Sequence, residues 1–165
     1  PVFETHKPVT SRDMAEHAPM TLASTPILFA TPTCPNCRIA CSYMDKAGEP
    51  KGAVWGKGAQ TANDVADFTE ADGITVKDFS GVTAVWEGCD FTLDNHLAFY
   101  CGTGWRATVP FLVLYQEGYD NISVYDGGWY QWLMDDSNPV QVGDPATDSV
   151  VYTTVGELPT GKAAK

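Results

Sequence analysis

The sequence predicts a three-layer α/β/α domain on a mainly parallel central sheet, and three observations carry that expectation. Short apolar runs at Ile27 to Ala30, Leu97 to Tyr100 and Ile122 to Tyr125 read as buried strands. Segments with helical apolar spacing fall between them, so strands alternate with helices as a parallel sheet requires. A chain of 165 residues with 44% hydrophobic and 12% aromatic content has the material for one sizeable core, and its length fits one domain better than two.

In chain order, Pro1 to Thr25 is a polar lead-in with a helical candidate at Ser11 to His17, capped by Ser11. The opening at Pro1, without a methionine, reads as a processed product or a segment of a longer protein. Ile27 to Ala30 is stopped by Thr31-Pro32, and Arg38 to Lys46 follows as a short helix ending at Gly48. Gly52 to Gly56 forms a second strand, and Lys57 to Gly73, polar and rich in turn residues, a long surface loop. Val76, Phe79, Val82, Val85 and Trp86 repeat at the 3.6-residue period, which predicts an amphipathic helix over Val76 to Trp86. Leu97 to Tyr100 is a buried parallel strand, and Ala107 to Tyr119 a helix that tolerates Pro110 in its first turn. Ile122 to Tyr125 is the next strand, closed by Asp126-Gly127-Gly128, with a short helix over Trp129 to Met134. From Asn138 to Lys165 the chain is Pro-, Gly- and Thr-rich and reads as loosely held. The boundaries are therefore a lead-in over 1–25, a domain over 26–145 and a C-terminal tail over 146–165.

The formal charge of −11 argues against nucleic-acid partners, because phosphates repel such a surface and the basic clusters they need are missing. It also disfavours anionic lipid surfaces, and no apolar run is long enough to insert in a bilayer. Five cysteines, an odd number in a chain that needs no staples, point to reactive or redox thiols rather than a disulfide framework. No cofactor is implied.

Cys101-Gly102-Thr103-Gly104-Trp105-Arg106 stands between a strand and a helix, at the sheet edge where open parallel sheets bind ligands. Its two glycines let successive N–H groups turn inward, and the following helix adds its positive end. Such a cradle stabilises a thiolate and an anionic group bound to its sulfur. Arg106 supplies a planar fork for sulfonate or sulfite oxygens. A buried cysteine beside a tight turn would explain Cys101 alone, but not this combination.

Phe99-Tyr100-Cys101-Gly102-Thr103-Gly104-Trp105-Arg106-Ala107, with Asn121 through Trp132 after it, resembles the catalytic half of a rhodanese domain. It is most similar to the exported, multi-rhodanese-domain thiosulfate sulfurtransferases of bacteria. The similarity starts near Pro50 to Gly56 and runs through Asp67-Phe68, Asp72-Gly73 and Trp86 to about Pro145. It implies a rhodanese-like fold in which Cys101 forms a persulfide and Gly102, Thr103, Gly104, Trp105 and Arg106 bind the donor. It further implies a small anionic sulfur donor such as thiosulfate, and cyanide or a thiol, a thioredoxin-like protein among them, as acceptor. Asp126-Gly127-Gly128, Trp129 and Trp132 become the closing motif, the tryptophans packing the core. Related phosphatases of this fold resemble a Cys-x5-Arg pattern; the four residues between Cys101 and Arg106 favour sulfur instead.

The N-terminal third departs from that family. Ile27 through Arg38, with Cys34-Pro35-Asn36-Cys37, looks like the strand, Cys-x-x-Cys and helix start of a thioredoxin or glutaredoxin relative, a likeness confined to 26–48. A helix start stabilises a Cys34 thiolate, so Cys34 and Cys37 are candidate redox or sulfur-relay thiols. The alternative function is accordingly a non-catalytic rhodanese-like binding module, or a thiol-redox relay through Cys34 and Cys37. Cys41 shares their spacing, which permits a metal reading, but the second Cys-x-x-Cys of a zinc ribbon is absent and no metal is assigned. Cys89 carries no motif, and His6, His17 and His96 are read as solvated or locally bonded.

Overall fold

The structure, a computed structural model, describes residues 27–30, 46–58, 65–89, 91–143 and 149–159, the first group by backbone alone. Its strands are β1 (Ile27–Ala30), β2 (Glu49–Pro50), β3 (Ala53–Trp55), β4 (Leu97–Phe99), β5 (Ile122–Val124), β6 (Pro139–Val142) and β7 (Val151–Thr154). Its helices are α1 (Phe79–Val85), α2 (Thr108–Gln116) and α3 (Gly128–Trp132). The central sheet has the order β3-β1-β4-β5, and every neighbouring pair in it is parallel. Phe99 sits level with Phe29 on one side and Val124 on the other.

Alternation along β4 divides the interior in two, because successive side chains of a strand point to opposite faces. Leu97, Phe99 and Cys101 belong to one core with Phe68, Val82, Trp86, Val113, Leu114 and Ile122. Ala98 and Tyr100 belong to the other, with Tyr125, Trp129, Trp132, Val140, Val155 and Leu158. Helices α1 and α2 thus cover one face, and α3 with the C-terminal segment covers the other. This is the three-layer arrangement the sequence predicts.

A cap fixes the start of α1 and the end of α2. The expected helix over Val76 to Trp86 begins later, at Phe79, because Asp78 accepts from the Gly81 N–H at 2.8 Å as its N-cap. Val76 is instead bridged to Thr69. Helix α2 ends in a Schellman turn: Gly118 at φ +86 lets its own N–H reach Tyr115 O and the Tyr119 N–H reach Leu114 O, each at 3.1 Å.

Two expectations are corrected. The stretch from Lys57 to Gly73 is not surface loop throughout: a 3-10 turn at Ala66–Phe68 drives Phe68 into the first core, edge-on to Trp86 at 6.1 Å. The described residues from Asn138 on, 138–143 and 149–159, are not a loose tail. Strands β6 and β7 form an antiparallel hairpin, and β2 pairs with the other edge of β6 to make a three-stranded sheet. Apolar residues at alternate and adjacent positions explain its docking: Val140, Val155 and Leu158 are buried against Trp129 and Trp132. Gln141 is 2% exposed and bonded at every polar atom, accepting from Gly52 N at 2.7 Å and donating to Glu49 Oε1 and Ala53 O at 2.8 Å. The expected helices at Ser11 to His17 and Arg38 to Lys46 lie outside the described residues, apart from Lys46, which is not helical.

Candidate active site

The order β3-β1-β4-β5 places the switch point of the sheet between β1 and β4, since the chain moves outward from β1 to β3 and then returns to the far side of β1. Ligand sites of open parallel sheets lie beyond the carboxyl ends of such strands. Cys101 lies there, just past the end of β4, with only 1% of its surface exposed. Gly102 through Arg106 follow in a turn that leads into α2.

The loop is held from behind by the start of α3. The Trp129 N–H donates to Cys101 O at 2.8 Å and the Tyr130 N–H to Gly102 O at 3.0 Å. These are amides that a helix start leaves without internal partners, and the loop carbonyls satisfy them. A trans peptide aims its N–H opposite to its C=O, so the Gly102 and Thr103 N–H groups point away from α3. Among the described residues, no backbone carbonyl accepts from the N–H of Gly102, Thr103, Gly104 or Trp105. The far end of the turn is fixed by Thr108, whose hydroxyl donates to Trp105 O at 2.7 Å. The Gly102 and Thr103 amides thus face away from α3, and those of Gly104 and Trp105 have no backbone acceptor among the described residues, an arrangement open to an anion.

Glycine is required at two contacts. Gly104, at φ +87, backs onto the Asp126 main chain, where a Cβ would lie 2.7 Å from Asp126 Cα. Gly128, at φ +58, sits against the loop itself, where a Cβ would meet Cys101 O and come within 2.6 Å of Gly102 C and O. The Asp126-Gly127-Gly128 motif therefore fixes the Cys101 loop by close backbone approach. Trp129 and Trp132 are buried as expected, Trp129 donating to Lys46 O at 3.1 Å and Trp132 to Pro139 O at 3.2 Å.

Charge around the loop is uneven. Arg106 is partly buried at the start of α2, whereas Trp105 is 79% exposed on the rim. Tyr100 is buried on the opposite sheet face. Burial pushes its hydroxyl well above the ordinary phenol range, with the charges of Glu49 and Cys101 adding to the effect. It stays a neutral phenol at physiological pH and is no base. Sequence reasoning missed Glu49, buried and bonded to Gln141, because the pairing of β2 with β6 was not foreseen. His96 is locally bonded, with Nε2 at 3.1 Å from Ser123 Oγ, near the start of β4 and away from Cys101. Cys89 is a half-buried thiol packed against the first core. Cys34, Cys37 and Cys41 lie outside the described residues, and among the described residues no cluster of potential metal ligands occurs. No described helix is long and apolar enough to cross a membrane.

A parallel α/β sheet with a cysteine-headed amide nest at its switch point defines a class of thiol-bearing α/β domains. The chain belongs to the Rhodanese-like domain family, which it matches over residues 49–135. It is 41% identical over 108 residues to the thiosulfate sulfurtransferase YnjE of Escherichia coli (strain K12), an alignment covering 66% of this chain and 25% of that protein. The crystal structure of YnjE superposes with a TM-score of 0.65 at 30% identity, covering 82% of this chain and 33% of that one. A structure of EanB as a cysteine persulfide with ergothioneine gives a TM-score of 0.68 at 26% identity, covering 83% and 32% of the two chains. The chain thus spans about a quarter of the length of its Escherichia coli relative.

Proposed function

We propose that this domain is a sulfurtransferase that moves sulfane sulfur from thiosulfate, or a related donor, through a persulfide on Cys101 to cyanide or a thiol, a thioredoxin-like protein among such thiols. One observation carries the reading: the carbonyls of Cys101 and Gly102 are committed to α3, while among the described residues no backbone carbonyl accepts from the N–H groups of Gly102 to Trp105, which leaves those amides available to a sulfur on Cys101. The name of the Escherichia coli relative supports the same chemistry.

The Cys101 thiolate attacks the outer sulfur of thiosulfate. A new S–S bond forms, the bond from that sulfur to the sulfonate breaks, and sulfite departs with the electron pair. Arg106 holds the sulfite oxygens during departure, and the amide nest carries the terminal charge of the persulfide. Cyanide or a thiolate then takes the outer sulfur and returns Cys101 as thiolate.

Treatment with thiosulfate should add the mass of one sulfur atom to the intact protein, located on Cys101 by peptide mapping. Cys101→Ser should abolish both that adduct and thiocyanate formation from thiosulfate and cyanide. Activity above about a tenth of the parent, roughly 1.4 kcal/mol in barrier, would overturn the assignment.

A further inference from the structure

We propose that Trp105 selects the sulfur acceptor, and that the preferred acceptor is a thiol carrying a positive charge; the inference rests on the persulfide reading above. Cys101 is 1% exposed, so an acceptor sulfur reaches it on a narrow arm while the rest of the molecule stays at the rim. Trp105 is on that rim, four residues from the nucleophile and 79% exposed.

Among the described residues, the indole of Trp105 makes no hydrogen bond or ring contact. Thr108 pins its carbonyl, and Gly104 beside it is backed onto Asp126, so the ring is presented from a fixed turn. A large aromatic exposed to water on a fixed turn is a recognition surface, and tryptophan is the side chain that attracts cations best through its ring face. The surroundings favour the same sign of charge. The chain has 21 acidic residues against 10 basic ones, for a net charge of −11, and Asp126 is exposed beside the loop.

The two half-reactions thereby use different zones. The anionic donor is met by the amides and Arg106 at the floor of the turn, and the acceptor by Trp105 at its rim. In the second half-reaction the acceptor thiolate sulfur bonds to the outer sulfur of the persulfide. The bond between that sulfur and Cys101 Sγ breaks, its electron pair stays on Cys101, and the proton of the incoming thiol goes to solvent. No net oxidation or reduction occurs.

The test is single-turnover decay of preformed persulfide with three thiols of similar length: thiocholine (cationic), 2-mercaptoethanol (neutral) and 2-mercaptoethanesulfonate (anionic). Rates are compared at fixed ionic strength after normalising each to its thiolate fraction. The parent should favour thiocholine over the sulfonate by about tenfold, part of it from the general field. Trp105→Ala should cut that ratio about threefold to fivefold, as expected for an exposed cation–π contact, and Trp105→Phe should restore part of it. An unchanged ratio in Trp105→Ala, an equal loss with all three thiols, or no cationic preference in the parent would overturn the inference while leaving the persulfide intact. Failure to form any persulfide would sink the functional reading and this inference together.

Discussion

The backbone N–H of Trp129 donates to the carbonyl of Cys101 at 2.8 Å, so the first turn of α3 and the head of the Cys101 loop are joined main chain to main chain. The contact requires Gly128 immediately before Trp129. Any side chain there would meet Cys101 O and the Gly102 carbonyl, in a backbone conformation that L residues rarely adopt. Gly128→Ala should therefore displace the loop. We expect sulfurtransferase activity to fall more than about tenfold, roughly 1.4 kcal/mol in barrier. Steady-state assay beside a thermal melt checks this, and full activity in a folded Gly128→Ala protein would show that the loop is not positioned from α3.

Arg106→Lys keeps the charge and removes the planar fork. If the guanidinium holds the departing sulfite, the apparent KM for thiosulfate should rise about tenfold, the equivalent of one bidentate charge-assisted contact, while the midpoint of unfolding stays close to the parent's. The opposite pattern, an unchanged KM with a lower midpoint, would assign Arg106 to bracing the start of α2.

The cap of α1 makes a pH-dependent prediction. The Gly81 N–H, and after it the Ser80 hydroxyl, hold the Asp78 carboxyl below its ordinary value. A depressed folded pKa gives stability that is fully present above the unfolded value of about 3.9 and is lost as pH falls below it. Asp78→Ala should therefore melt below the parent by a constant interval from about pH 5 to pH 8, and the interval should narrow toward pH 3. An interval independent of pH would mean that the carboxylate does not act as the cap.

The sequence made the family and the loop after β4 legible and part of the architecture illegible, for physical reasons. Strands β1, β4 and β5 are apolar runs bounded by turn residues, and such runs announce themselves. The cysteine loop is legible because its glycines, arginine and cysteine are contiguous. The backing of that loop by α3 is a main-chain contact between segments about 28 residues apart in sequence, and backbone amides leave no mark on residue identity beyond the glycines. Strands β6 and β7 carried a usable signal, Pro139 to Val142 and Val150 to Val155, runs rich in β-branched residues separated by the seven residues 143–149, which open with Gly143, Asp144 and Pro145. Proline and glycine content concealed it. For Cys34 and Cys37 the spacing supports a dithiol, but they lie outside the described residues.

The hairpin that composition concealed should be essential to the fold, and Gln141 tests this. Its side chain satisfies Gly52 N, Ala53 O and one oxygen of buried Glu49 at once, joining β2, the turn into β3 and β6. Gln141→Leu keeps comparable volume but removes three hydrogen bonds, those to Glu49 and Ala53 buried and that from Gly52 partly so, at about 1–3 kcal/mol each before relaxation. A loss of roughly 3–5 kcal/mol corresponds to a drop of about 10 °C in Tm for a chain of this length. Val151→Ala is the control: on the same hairpin but 62% exposed, it should change stability by about 0.5 kcal/mol or less. The Gln141 network also lies on the Tyr100 side of the sheet, where Glu49 acts on the Tyr100 hydroxyl. The variant should therefore lose activity only as it unfolds, with kcat per folded molecule close to the parent's. A Gln141→Leu protein as stable as the parent would reinstate the reading of this segment as a dispensable tail.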